Sequence, residues 1–263
     1  MHFNFDFSAR QILWTLTFAG QLILLVVLLG RDRARRYPWF TAGAALFALR
    51  LMAEMLLSGR LAMLPLQETM LTLANLGMIA SMLVLVEIAR RAFGAAERSL
   101  WIVNGAGLLA VAGGMLYWWG PWPAAKELDW GTTLGKLHLM QLMAQKGDAL
   151  VNLLMVELGL LVVLFGRRFK AGWRSHTQMI VIGLSTAGLA MLALEGLVQF
   201  IVKTVHPTTR AEYDRILGLL SKLMNANEVV YLAALVWWIV WLWLDEPGTA
   251  ETPPVATTPE PAE

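Results

Sequence analysis

The sequence predicts an all-α, polytopic membrane protein of seven transmembrane helices, with the N-terminus outside and the C-terminus cytoplasmic. Apolar stretches of about 20 residues or more, each long enough to cross a bilayer, fill nearly all of the chain. Of its 263 residues, 57% are hydrophobic and 15% charged. Arg-rich junctions fall on one side of the resulting arrangement, and tryptophans gather where spans end. With a mean hydropathy of +0.58, a water-soluble core is excluded.

The spans are read near residues 10–30, 38–58, 69–91, 99–119, 138–166, 175–203 and 214–244. Ahead of the first, MHFNFDFSAR has neither a basic region before an apolar core nor a small-residue cleavage site after one, so this span is expected to stay as a helix. The second carries Arg50 and Glu54, one turn apart. The third ends at RRAFGAAER and holds Asn75. No ionisable residue lies between Ser99 and Gly120 in the fourth. Its Ala106, Ala110 and Gly114 recur every four positions and predict a packing strut.

On the fifth span Gln141, Gln145, Asp148 and Asn152 share one helix face, while Lys146 and Glu157 form a second polar line. The sixth adds Glu195 and Gln199, and the seventh Ser221, Lys222, Asn225 and Glu228. Past its first residue no span contains the internal proline that marks the broken helices of many transporters. Residues 1–244 are thus read as the transmembrane domain. Residues 245–263, DEPGTAETPPVATTPEPAE, are read as a disordered Pro/Thr/Glu-rich cytoplasmic tail.

Orientation follows from charge. One set of junctions carries Arg31, Arg33, Arg35, Arg36, Arg90, Arg91, Arg98, Arg167, Arg168, Lys170 and Arg174. The opposite set has only Arg10, Arg60, Lys126, Lys136, Lys203, Arg210 and Arg215, several offset by nearby acids. The positive-inside rule makes the first set cytoplasmic. Trp118, Trp119, Trp122 and Trp130 then form an outer aromatic belt and Trp237, Trp238, Trp241 and Trp243 an inner one.

The functional signal is polarity inside the spans. A charge at the centre of a membrane helix costs roughly 2.5 kcal/mol or more, and adhesion alone is achieved more cheaply by small residues and amides. At about 1.5 Å per residue, Arg50, Lys146, Asp148, Glu195, Gln199, Asn225 and Glu228 all fall in the outer half, with Glu157 nearer the midplane. Glu54 and Lys222 are placed to snorkel. The expected site is a polar cavity facing the outer side, bounded by Arg50, Lys146, Asp148, Asn152, Glu195, Gln199, Asn225 and Glu228, with Glu157 on any proton or ion path.

No catalytic motif is present, so no enzyme activity is expected. The chain has no cysteine, and its histidines are too dispersed for a haem or zinc site, so no metal or cofactor is expected. A lysine on a seventh helix is shared with microbial rhodopsins. Here Lys222 lies near the outer end and the third span's acid, Glu87, beside the inner arginines, so retinal is not expected.

The expected function is non-enzymatic binding or sensing of a small polar ligand, signalled through a separate partner at the cytoplasmic loops. A proton- or ion-coupled solute transporter and a structural subunit of a membrane complex are the alternatives. Lipid is an expected partner and nucleic acid is not, because the basic residues sit at helix ends rather than along one face. The expected location is a plasma or bacterial inner membrane.

Overall fold

The computed structural model describes residues 9–93, 98–118, 122–123, 131–165 and 175–246. Among them are eight helices and no strand: α1 (Ala9–Gly30), α2 (Arg33–Arg36), α3 (Pro38–Leu57), α4 (Met63–Phe93), α5 (Arg98–Trp118), α6 (Thr133–Phe165), α7 (His176–Thr204) and α8 (Arg210–Trp243). Six of these, α1, α3, α4, α6, α7 and α8, are long and apolar enough to cross a bilayer, which makes the chain membrane-embedded. The described apolar stretch of α5 is the shorter Gly107–Trp118.

Helices α4, α6 and α8 start several residues before their apolar limits. The start of α8 is fixed by a reciprocal cap, in which the Thr209 hydroxyl accepts from the Glu212 N–H and the Glu212 carboxylate accepts from the Thr209 N–H. Early initiation brings Pro65 into the first turn of α4, where its missing N–H leaves no internal bond unmade.

The six long helices close into a ring in the order α1, α3, α4, α6, α7, α8 and back to α1. Because lipid is as apolar as leucine, hydrophobicity cannot mark the inner face of such a helix; polar and small residues do. On α1, Thr17, Gln21, Leu24 and Leu28 turn inward while Leu22, Ile23, Val26 and Leu29 face out. Glycine permits close approach at several seams of the ring. A methyl at Gly183 of α7 would overlap the Trp238 indole of α8, and one at Gly159 of α6 would overlap Ser185 of α7. At that second seam the Ser185 hydroxyl lies 2.7 Å from the Met155 carbonyl on α6.

Helix α5 packs on α6 outside the ring. Its contact face is Leu108, Ala112 and Leu116, set against Leu153 and Leu154 of α6. The small-residue stripe, expected to mark a helix contact without saying with what, does not lie at this one: Ala110 is exposed and a methyl at Gly114 would meet no neighbour within 4 Å, while the Ala106 side chain lies outside the described residues. Spacing by four selects a face without saying which face is used.

Trp238 also departs from expectation. It is 3% exposed, its indole N–H donates to the Ile180 carbonyl at 3.3 Å, and it belongs to the core of the ring rather than to an interfacial belt. Trp119 and Trp130 of the other expected belt lie outside the described residues, as do Lys126, Arg167, Arg168, Lys170, Arg174 and the Arg98 side chain.

Replacing Gly183 by alanine is expected to displace Trp238 and destabilise the bundle by about 1–3 kcal/mol, read as a lower midpoint of thermal unfolding in detergent. Gly114→Ala, whose added methyl meets open space, is expected to leave that midpoint unchanged or raise it slightly.

Candidate functional site

The ring encloses a cavity of about 410 Å³ walled by all six of its helices. Helix α1 supplies Trp14, Thr17 and Gln21; α3 supplies Phe40, Phe47 and Arg50; α4 supplies Gly77, Met78 and Ser81. Across from them stand Asp148 and Asn152 of α6, Gly188 and Met191 of α7, and Asn227, Glu228, Tyr231 and Trp238 of α8. No described residue of α5 takes part.

Four rings, spaced by seven on each of two helices, bridge the lumen between α3 and α8. Phe47 lies 5.2 Å from Tyr231, Tyr231 6.3 Å from Trp238, and Trp238 edge-on to Phe40 at 5.5 Å. Gln21 of α1 donates to the Tyr231 hydroxyl at 2.8 Å, tying a third helix to this ladder. The aromatic ladder extends toward the arginine-rich end of the bundle, and the charged groups lie on the far side of it. The cavity is therefore amphipathic along its length.

Of the residues selected from sequence, Arg50, Asp148, Asn152 and Glu228 share this cavity wall, whereas Lys146, Glu195, Gln199 and Asn225 are not part of it. Lys146 instead holds its ammonium 4.7 Å above the Trp122 ring and interacts electrostatically with Glu195. Arg50 and Glu195 are the charges that act on Asp148. Glu54 pairs with Arg10 at 3.8 Å, both well exposed, as snorkelling groups are.

Asn75 donates to the Met140 carbonyl at 3.0 Å and so bonds α4 to α6. Glu157 shares a face of α6 with Leu150, Leu153 and Leu154, the side turned toward α5 rather than toward the cavity. Both of its carboxylate oxygens are buried and, among the described residues, accept no hydrogen bond. One oxygen of Glu228, Oε2, is likewise buried without a partner, and this one belongs to a cavity residue.

Thr17, Gln21, Ser81, Asn227 and Tyr231 were not selected from sequence, although Thr17 and Gln21 stand one turn apart in an otherwise apolar span and carried the same kind of signal.

The arginine-rich end is closed by a second polar assembly. Helix α3 starts at Pro38 without a side-chain cap from Tyr37, so its first amides need another acceptor. Glu87 of α4 provides it, accepting the Phe40 N–H at 3.0 Å. Arg91 lies 3.7 Å from the same carboxylate and 4.9 Å above the ring of Tyr37, which is fully buried.

At α7, Ser175 accepts the Gln178 N–H and Glu246 accepts the His176 N–H at 2.9 Å. Glu246 also accepts from Arg36 at 2.7 Å, and His176 Nε2 lies 2.9 Å from the Leu244 carbonyl. Asp245 lies 3.3 Å from Arg33. The first two residues of the expected tail are thus bound to the bundle, and residues 247–263 lie outside the described residues. Burial acts to raise the Glu246 carboxyl, but the His176 amide and the Arg36 guanidinium outweigh it and hold the group below its ordinary value.

No protein-family model matches the chain, and neither a curated protein nor a solved structure matches it.

Glu246→Gln is expected to destabilise the protein by about 1–2 kcal/mol, because Arg36 loses its charge partner while remaining partly solvated. The pH dependence has a definite sign. A carboxyl held below its ordinary value stabilises the fold fully above that value, and the contribution is lost as pH falls through it and below the folded one. Acid titration of the unfolding midpoint is expected to show this loss in the wild type and a shallower fall in Glu246→Gln.

Proposed function

We propose that the protein is a non-enzymatic seven-helix membrane protein that binds a small polar ligand in the six-helix cavity and passes the event to a separate protein at its arginine-rich face. The observation that carries this reading is the convergence of Arg50, Asp148, Asn152 and Glu228, from three different helices, on one cavity of a size suited to a small molecule. In this reading α5 is the remaining span. The arginine-rich end is cytoplasmic, in a plasma or bacterial inner membrane, in keeping with the positive-inside rule.

Helix α8 supplies the route for a signal. Glu228, Tyr231 and Trp238 contact the cavity, and the segment that follows this helix carries Leu244, Asp245 and Glu246 into the assembly with His176, Arg33 and Arg36. A ligand that favours one position of α8 would shift the population of that assembly by its differential affinity for the two positions. A structural-subunit role is the second reading. It is favoured by the open outward face of α5, where Leu109, Val111 and Met115 are exposed.

Native mass spectrometry of the protein extracted gently from its own membrane is expected to show a small mass above the 29.2 kDa chain, lost in Asp148→Ala and Arg50→Ala. A stoichiometric protein partner with no small molecule would transfer support to the subunit reading. For topology, single cysteines can be placed in this cysteine-free chain. Arg60→Cys and Thr133→Cys are expected to react with a membrane-impermeant maleimide on intact cells, and Arg35→Cys only after lysis. Protection of Thr133→Cys together with Arg35→Cys would remove α5 as a span.

A further inference from the structure

We propose that the cavity's ligand is an organic ammonium compound with an aromatic or short aliphatic body, its charged nitrogen at Glu228 and its body against Tyr231 and Phe47. This rests on the ligand-binding reading and fixes the charge and shape of what is bound. The ionisable groups of the cavity wall are one guanidinium, Arg50, and two carboxylates, Asp148 and Glu228. The two carboxylates outnumber the one guanidinium, so the charged groups of the wall sum to a net negative charge. Of the two, Glu228 has an oxygen, Oε2, that is buried with no hydrogen-bond donor among the described residues. A carboxylate so placed in a membrane interior calls for a positively charged donor.

The neighbourhood of Glu228 specifies more than charge. Tyr231 lies three residues along α8, on the same helix face, and its ring is packed 5.2 Å from Phe47. Aromatic rings beside a carboxylate suit an alkylammonium group, which gains from the ring faces as well as from the anion, and they give its apolar body a surface to cover. A bare divalent cation is served poorly by contrast. Among the described residues no three His, Cys, Asp or Glu side chains come together as a metal-binding group. An anionic ligand would share a cavity wall that carries two carboxylates and a single guanidinium.

The test uses the full chain in lipid nanodiscs and three probes of one shape: 2-phenylethylamine, 2-phenylethanol and phenylacetate. Binding is followed by calorimetry and by the shift in unfolding temperature. The amine is expected to bind at least tenfold more tightly than the alcohol, with the carboxylate weakest, and Glu228→Gln is expected to lower amine affinity tenfold or more. The probe series on the wild type stands even if that variant does not fold.

Tightest binding by phenylacetate, abolished in Arg50→Gln, would overturn the ammonium assignment while leaving an occupied cavity. Equal binding of all three, or of none, would overturn it as well. Native mass spectrometry then separates the two levels, since a co-purified small molecule without an amine defeats only the ligand class, whereas no bound small molecule defeats the binding reading itself.

Discussion

The structure depends first on satisfying backbone amides at the ends of helices that begin against protein rather than in open water. A helix leaves its first N–H groups unpaired, and in apolar surroundings each unpaired group costs several kcal/mol. At the arginine-rich end, α3 and α7 meet this need through carboxylates from elsewhere in the chain: Glu87 of α4 for one and Glu246 beyond α8 for the other. Each carboxylate is then neutralised by an arginine, Arg91 or Arg36. The caps are therefore also the ties that hold this end of the ring together. At the far end α8 caps itself with Thr209 and Glu212, a local device that fixes no neighbour. One end of the bundle is cross-linked by polar contacts between helices.

This asymmetry organises the interior. Above the capped end sits the ladder of Phe40, Trp238, Tyr231 and Phe47, and beyond it the charged residues Arg50, Asp148 and Glu228. Polar side chains are retained inside the membrane where they have partners or a water-filled space to face. Asn75 and Ser185 have partners in the backbone of neighbouring helices and serve the seams. Glu228, whose Oε2 has no partner among the described residues, borders the space instead.

The helices were legible in the sequence because a bilayer imposes a length, and runs of apolar residues record it. The cavity was legible in part. Charges are rare enough in a span that Arg50, Asp148 and Glu228 stood out, and Asn152 followed from its register with Asp148. Spacing along one helix does not reveal which face meets which neighbour, so Lys146, Glu195, Gln199 and Asn225 were grouped with the cavity although they lie outside its wall. The same limit misplaced the role of Trp238. The assembly around Glu246 could not be seen at all, because it joins residues about 70 and 210 positions apart in a chain with no repeat to suggest the pairing.

The position of α5 has a topological consequence. Helices α4 and α6 are neighbours in the ring and run in the same direction, as do α8 and α1, whereas the remaining neighbours alternate. Two parallel helices cannot be joined by a short hairpin, so the segment between them, which contains α5, must lead the chain back, and no described residue of α5 contributes to the wall. The ring is thus two successive up-down-up triplets, α1–α3–α4 and α6–α7–α8, fastened side by side with the cavity at their junction. A chain severed in α5 retains every residue of the enclosure in two pieces, each with a complete set of three crossings.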